Sequence, residues 1–231
     1  MSPTTYTMPN CPPSVLNPAA RLPCVTAIVV GLPRGGTSAV ASVLDALGVW
    51  MGERRDLLNG GSFENLAFNQ KDMTNWEGEV AKHNKLHSVW GFKNPYGPSV
   101  LKGLPSNLRN PHLIYILRDA AALAQRWQQL GWLPDRGFSQ KAGFLDYLTA
   151  ARQQIDRLLD SLATQTRPSL VCSYERILSA PGLFALALQD FLGLSVTVEH
   201  FADAISRISS RGGYVVPHSF PGAPHDILPS T

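Results

Sequence analysis

Val25-Thr26-Ala27-Ile28-Val29-Val30 runs directly into Gly31-Leu32-Pro33-Arg34-Gly35-Gly36-Thr37-Ser38, and an amphipathic pattern begins at once. A near-continuous run of apolar and β-branched residues predicts a strand buried on both faces. Val40, Val43, Leu44 and Leu47 keep the i, i+3, i+4, i+7 spacing of a helix with one core-facing stripe. The unit is therefore strand, glycine-rich turn, helix. Gly31 and Gly36 stand five apart, as in the phosphate-binding pattern G-x-x-x-x-G-K-[ST], but Thr37 occupies the lysine place. In nucleoside-triphosphate enzymes that lysine reaches the β- and γ-phosphates, so its absence argues against ordinary ATP or GTP chemistry. The glycines still let backbone N–H groups converge on an oxyanion, and the helix N-terminus adds about half a positive charge. Arg34 supplies a full charge from within the loop. The competing reading is a plain turn in which Thr37 or Ser38 caps a helix.

Outward from this loop, short apolar runs at 89–92, 112–117 and 169–173 read as further buried strands alternating with helical patterns. Phe144, Leu148, Ala151, Ile155, Leu158 and Leu162 form a 4-3-4-3-4 stripe down a long helix. The expected architecture is an α/β, P-loop-like three-layer fold with a mainly parallel central sheet. Residues 1–24 contain six prolines and no hydrophobic period, which predicts a flexible lead-in. One domain is expected over 25–231, ending in a proline-containing stretch, 217–231, that reads as an extended arm or a lid.

The chain has 231 residues, 44% hydrophobic and 16% charged, which excludes a long disordered polymer and allows one substantial core. No apolar run reaches membrane-spanning length and no secretory signal pattern opens the sequence, so a cytoplasmic protein is expected. Cys11, Cys24 and Cys172 are odd in number and far apart, which argues against a disulfide framework or a zinc site. A net charge of +3 is too small for a nucleic-acid-coating protein but compatible with a local polyanion pocket.

Four segments, in order, resemble those of sulfotransferases that use 3'-phosphoadenosine 5'-phosphosulfate (PAPS). The 31–38 loop, followed by Leu44-Asp45-Ala46-Leu47-Gly48, is similar to their phosphosulfate loop. Trp90-Gly91-Phe92-Lys93-Asn94-Pro95 resembles their strand-end lysine motif, and Arg118-Asp119 their arginine for the 3'-phosphate. Tyr174-Glu175-Arg176-Ile177-Leu178 resembles their Tyr-Glu-Asp-Leu-Leu segment. The resemblance implies sulfuryl transfer from PAPS to a hydroxyl or amine on a carbohydrate, lipid or small metabolite, with no metal and no nucleic-acid partner.

It also implies roles for individual residues. Pro33, Arg34, Gly35, Gly36, Thr37 and Ser38 would hold the 5'-phosphosulfate, Arg118 the 3'-phosphate, and Tyr174 the adenine. The other reading of Arg118 is an ion pair with Asp119 or a surface charge, and that of Tyr174 a half-buried structural residue. Arg211, before Gly212-Gly213-Tyr214, resembles the basic segment that closes over the nucleotide; its other reading is an ordinary turn. Lys93, past a strand's C-terminal end, would neutralise the leaving phosphate; its other reading is a solvated strand-end lysine. Two positions depart from the family. Arg126 stands where a serine usually follows the arginine by eight, and Pro95 stands where a histidine base usually follows the lysine by two. Glu64, in Gly61-Ser62-Phe63-Glu64-Asn65, resembles the glutamate of another branch and is the expected base. The other reading of Glu64 is a first-turn helix glutamate favoured by the dipole. His83 and His87, four apart, share a helix face as a fallback base or a metal pair, or simply as a solvated face. Trp76, Trp90, Trp127 and Trp132 are either pocket-lining or core residues. The rival classes are a nucleotide kinase-like enzyme with an aberrant loop and a non-catalytic nucleotide-binding module.

Overall fold

All six residues of the first long apolar run, Val25–Val30, are buried, and that strand lies between two parallel neighbours. The computed structural model describes residues 12–52, 63, 67–68, 75–95, 101–134, 137–138 and 142–209. Along the described chain the elements are β1 (Ser14–Leu16), β2 (Val25–Val30), α1 (Thr37–Ala46), α2 (Trp76–Leu86), β3 (Val89–Asn94), β4 (Pro111–Leu117), α3 (Ala120–Gln129), β5 (Trp132–Leu133) and β6 (Gly137–Phe138). They continue with α4 (Phe144–Ala163), β7 (Ser169–Ser173), α5 (Tyr174–Ser179), α6 (Pro181–Leu192) and α7 (Val198–Ser209).

The main sheet has the order β1-β7-β4-β2-β3, with β7, β4, β2 and β3 parallel and β1 antiparallel at the edge. Alternate residues of the parallel strands feed two cores. Ala27, Val29, Ile114, Ile116, Leu170 and Cys172 pack with α1, α6 and α7 on one face. Ile28, Val30, Trp90, Phe92, Leu113 and Tyr115 pack with α3 and α4 on the other. This is the expected three-layer α/β architecture, and it explains why the strands read as unbroken apolar runs. From β2 the chain goes to β3 on one side and then crosses to β4 on the other. The crevice at the C-terminal ends of β2 and β4 is therefore the switch point where open parallel sheets bind ligands.

Three expectations need correction. Within the lead-in, Ser14–Leu16 pairs with β7 in the register Ser14↔Val171 and Leu16↔Ser169, so the absence of a hydrophobic period hid an edge strand exposed at all three positions. β3 extends two residues past Phe92, through Lys93 and Asn94. The α4 stripe is led by buried Ala151 and Leu158, with Leu148, Ile155 and Leu162 partly buried, but Phe144 is exposed and Tyr147 takes the inward place in the first turn.

Candidate functional site

The loop after β2 makes its first turn through a Gly35 N–H donating to the Leu32 carbonyl at 2.8 Å. Arg34 (φ 66°) and Gly36 (φ 99°) both adopt the left-handed region, with Gly35 between them. Alternation of this kind aims successive backbone N–H groups into one anion-binding concavity. A non-glycine residue in that region is uncommon, and Arg34 is held there by its surroundings. The Arg118 Nη1 donates to the Arg34 carbonyl at 2.5 Å, and Trp127 Nε1 donates to the Pro33 carbonyl at 3.0 Å.

Gly36 is the N-cap of α1, and no side chain caps the helix. Neither Thr37 nor Ser38 is therefore the capping residue. The first turn contains no acidic residue, so its amides and the helix dipole present positive potential. Thr37 is buried with its methyl beside Gly31, and Ser38 is half-buried.

Lys93 is in register with Val29, on the face that α1 covers, and is only 4% exposed. Its Nζ donates to Ser38 Oγ at 3.0 Å. The solvated-lysine reading is excluded by this burial. Asn94 is buried as well and donates through Nδ2 to the Phe68 carbonyl at 3.0 Å.

Arg118 leaves the end of β4 and lies with its guanidinium carbon 5.0 Å from the centre of the Tyr174 ring. Its Nε is buried with no hydrogen-bond partner among the described residues, an orphan donor that an anionic oxygen would satisfy. Asp119 is spent elsewhere: its Oδ1 accepts the Ala122 N–H at 2.9 Å and caps α3. Tyr174, the first residue of α5, is buried with its ring against Gly36. Arg126 is half-buried on α3 and donates to Gln129 Oε1 at 2.9 Å. Pro33 through Ser38, Lys93, Arg118 and Tyr174 thus meet at the end of the sheet.

Glu64 and Arg211 lie outside the described residues. Phe63, next to Glu64 in the chain, is buried in the core on the α1 face. His83 is not on a solvated face: it is 4% exposed, tilted against Trp50 at 4.3 Å and Trp90 at 5.1 Å between ring centroids. Burial lowers its pKa, with Glu79 opposing the shift and Lys82 and His87 adding to it. Trp90 precedes Lys93 by three strand residues, about 10 Å of rise, which separates this imidazole from the loop. Trp76, Trp90 and Trp127 are core residues, and half-buried Trp132 packs edge-on to Trp127 at 5.7 Å. Among the described residues no cluster of three or more His, Cys, Asp or Glu is arranged to hold a metal.

Two contacts at the site go beyond the roles read from the sequence. Trp127 braces Pro33, and a buried indole's need for an acceptor was the available signal. Glu175 accepts the Asp119 N–H and the Ser173 hydroxyl, a link that only the β4–β7 register reveals.

Sheet order, loop and helix placement define a P-loop-like α/β protein. No family model matches the chain, and no curated protein matches it by sequence. Solved structures do. The sulfotransferase domain from the curacin biosynthetic pathway superposes with a TM-score of 0.50 at 16% identity, over 78% of this chain and 77% of that one. The sulfotransferase domain from the Synechococcus PCC 7002 olefin synthase gives 0.51 at 14%, over 86% and 84%. Mouse sulfotransferase SULT7A1, complexed with PAP, gives 0.50 at 13%, over 83% and 66%. At these identities the likeness shows the fold: this chain has the fold of the sulfotransferases. No described helix is long and apolar enough to cross a membrane.

Proposed function

We propose that the chain is a PAPS-dependent sulfotransferase acting on a hydroxyl or amine of a carbohydrate, lipid or small metabolite. The observation that carries this reading is the Lys93 Nζ bond to Ser38 Oγ. Ser38 stands at the hydroxyl position that holds magnesium in nucleoside-triphosphate loops, and here a buried ammonium sits on it. A fixed cation takes the place of the metal, as suits a donor whose leaving group is a bisphosphate without a γ-phosphate. PAP in the SULT7A1 structure and the sulfotransferase fold support the same donor.

In this reading the uncapped amides of α1 and Arg34 hold the 5'-phosphosulfate, and Arg118 takes the 3'-phosphate with its orphan Nε. The acceptor oxygen or nitrogen forms its bond to sulfur as the bond from sulfur to the bridging phosphate oxygen breaks. Lys93 stabilises the charge left on that oxygen, and the acceptor's proton goes to a base. Glu64 is the candidate base, and the packing of His83 among Trp50 and Trp90 speaks against that imidazole. Tyr174 borders the adenine side of the site, while Arg126 and Arg211 are candidate second cations for the nucleotide.

The test is transfer of radiolabelled sulfate from PAPS to a panel of sugar, lipid and small alcohol or amine acceptors in excess chelator. Labelled product in chelator, lost in Glu64→Gln by roughly a hundredfold with donor affinity kept, is the expected result. Binding of donor with no product from any acceptor class would leave a nucleotide-binding module instead.

A further inference from the structure

β4 and β7 are parallel neighbours ending in the register Leu117↔Ser173, so Arg118-Asp119 and Tyr174-Glu175 leave the sheet side by side. Glu175 joins these exits. Its Oε1 accepts the Asp119 backbone N–H at 3.0 Å, and its Oε2 accepts the Ser173 hydroxyl at 2.9 Å. Each carboxylate oxygen holds one strand end. The side chain is exposed, yet it is turned onto protein donors. The amide it holds belongs to the peptide unit that carries Arg118, so the bond fixes the direction in which the Arg118 side chain departs. From there the guanidinium reaches over Tyr174 and onto the Arg34 carbonyl.

We propose that Glu175 is the positioning residue for Arg118 and that it thereby sets selectivity for a 3'-phosphorylated nucleotide. This rests on the reading of Arg118 as the 3'-phosphate cation. A carboxylate near a phosphate site opposes anion binding through space, so a favourable contribution must come from geometry. The distinction fixes the variants. Glu175→Gln removes the charge and keeps an acceptor for the Asp119 N–H, whereas Glu175→Ala removes both.

The experiment compares calorimetric affinities for 3'-phosphoadenosine 5'-phosphate and adenosine 5'-phosphate in wild type, Glu175→Gln, Glu175→Ala and Arg118→Ala. Wild type should prefer the bisphosphate, and Glu175→Gln, which keeps the acceptor and loses the opposing charge, should prefer it by at least the same ratio. Glu175→Ala should lower that ratio by about tenfold, toward that of Arg118→Ala, with 5'-phosphate affinity changed by less than about threefold. A Glu175→Ala protein that keeps the ratio, or that loses both ligands equally, overturns the inference; so does a Glu175→Gln protein whose ratio falls as far as alanine's. If Glu175→Ala does not fold, Glu175→Asp, one methylene too short to reach both donors, takes its place with the same expected ratios. A wild type with no preference, or an Arg118→Ala that retains it, overturns the underlying reading and the inference together. A preference abolished in Arg118→Ala but kept in Glu175→Ala overturns the inference alone.

Discussion

A methyl group on Gly36 would lie 2.2 Å from Cδ2 of the Tyr174 ring, which leaves no room for any side chain at the start of α1. The backbone adds a second restriction, because Gly36 has φ 99°. Gly36→Ala should therefore displace either the loop or α5 and abolish donor binding. Making it in a Tyr174→Ala background separates the two causes: there the ring contact is gone but the φ strain remains, so Gly36→Ala should lower the Tm of Tyr174→Ala by less than it lowers that of wild type, but still lower it. No loss at all in that background would show that the dihedral is harmless. A Gly36→Ala protein that binds donor normally would contradict the loop's role.

Lys93 can be tested without disturbing the fold, since methionine preserves its buried stem. Lys93→Met should retain the unfolding midpoint within a few degrees and slow sulfuryl transfer by roughly 10²–10³-fold, the scale for losing one preorganised stabilising group. Added magnesium should not restore the rate. Unchanged turnover in Lys93→Met would remove the residue from the chemistry.

Acid should destabilise the protein through two buried imidazoles. Burial lowers the His83 pKa, and it lowers that of His112 despite the bond between His112 Nδ1 and the Asn110 carbonyl. Both folded values lie below the ordinary 6.5. As pH falls past 6.5 the unfolded chain takes up protons first, so stability is complete above that point and declines below it. Urea midpoints should fall between pH 7.5 and 5.5, and His112→Gln should flatten the decline. An acid limb identical in His112→Gln would assign the effect to other groups.

Thr26 is fully buried in β2, and its Oγ1 has no hydrogen-bond partner among the described residues. Thr26→Val keeps the shape and removes the orphan hydroxyl. It should stabilise by about 1 kcal/mol, a rise of about 2–4 °C in Tm. A lower Tm would mean that the hydroxyl is satisfied in solution.

The strands at 25–30 and 169–173 were legible to the residue, because a parallel strand covered on both faces has little choice but to be apolar. The same logic truncated β3, where the sheet carries Lys93 and Asn94 inside and the polar pair broke the pattern at the end that matters most. β1 was hidden for the opposite reason: its three residues are exposed and it depends on β7 rather than on its own pattern. His83 looked solvated because α2 has a weak stripe, while its burial comes from Trp50 and Trp90, which lie elsewhere in the chain. Loop composition pointed to the anion site proposed for it. That Arg118 would rest on the Arg34 carbonyl, or Tyr174 on Gly36, required the order β7-β4-β2, which pairwise spacing does not contain.

The central claim, a loop that binds a bisphosphorylated adenosine with protein cations in place of a metal, is tested most directly by calorimetry in excess chelator. 3'-phosphoadenosine 5'-phosphate should bind with unchanged affinity whether or not magnesium is supplied, and should bind more tightly than ATP with magnesium. Arg34→Ala and Arg118→Ala should each weaken that binding. Tighter binding of magnesium-ATP, or bisphosphate binding that disappears in chelator, would contradict the account.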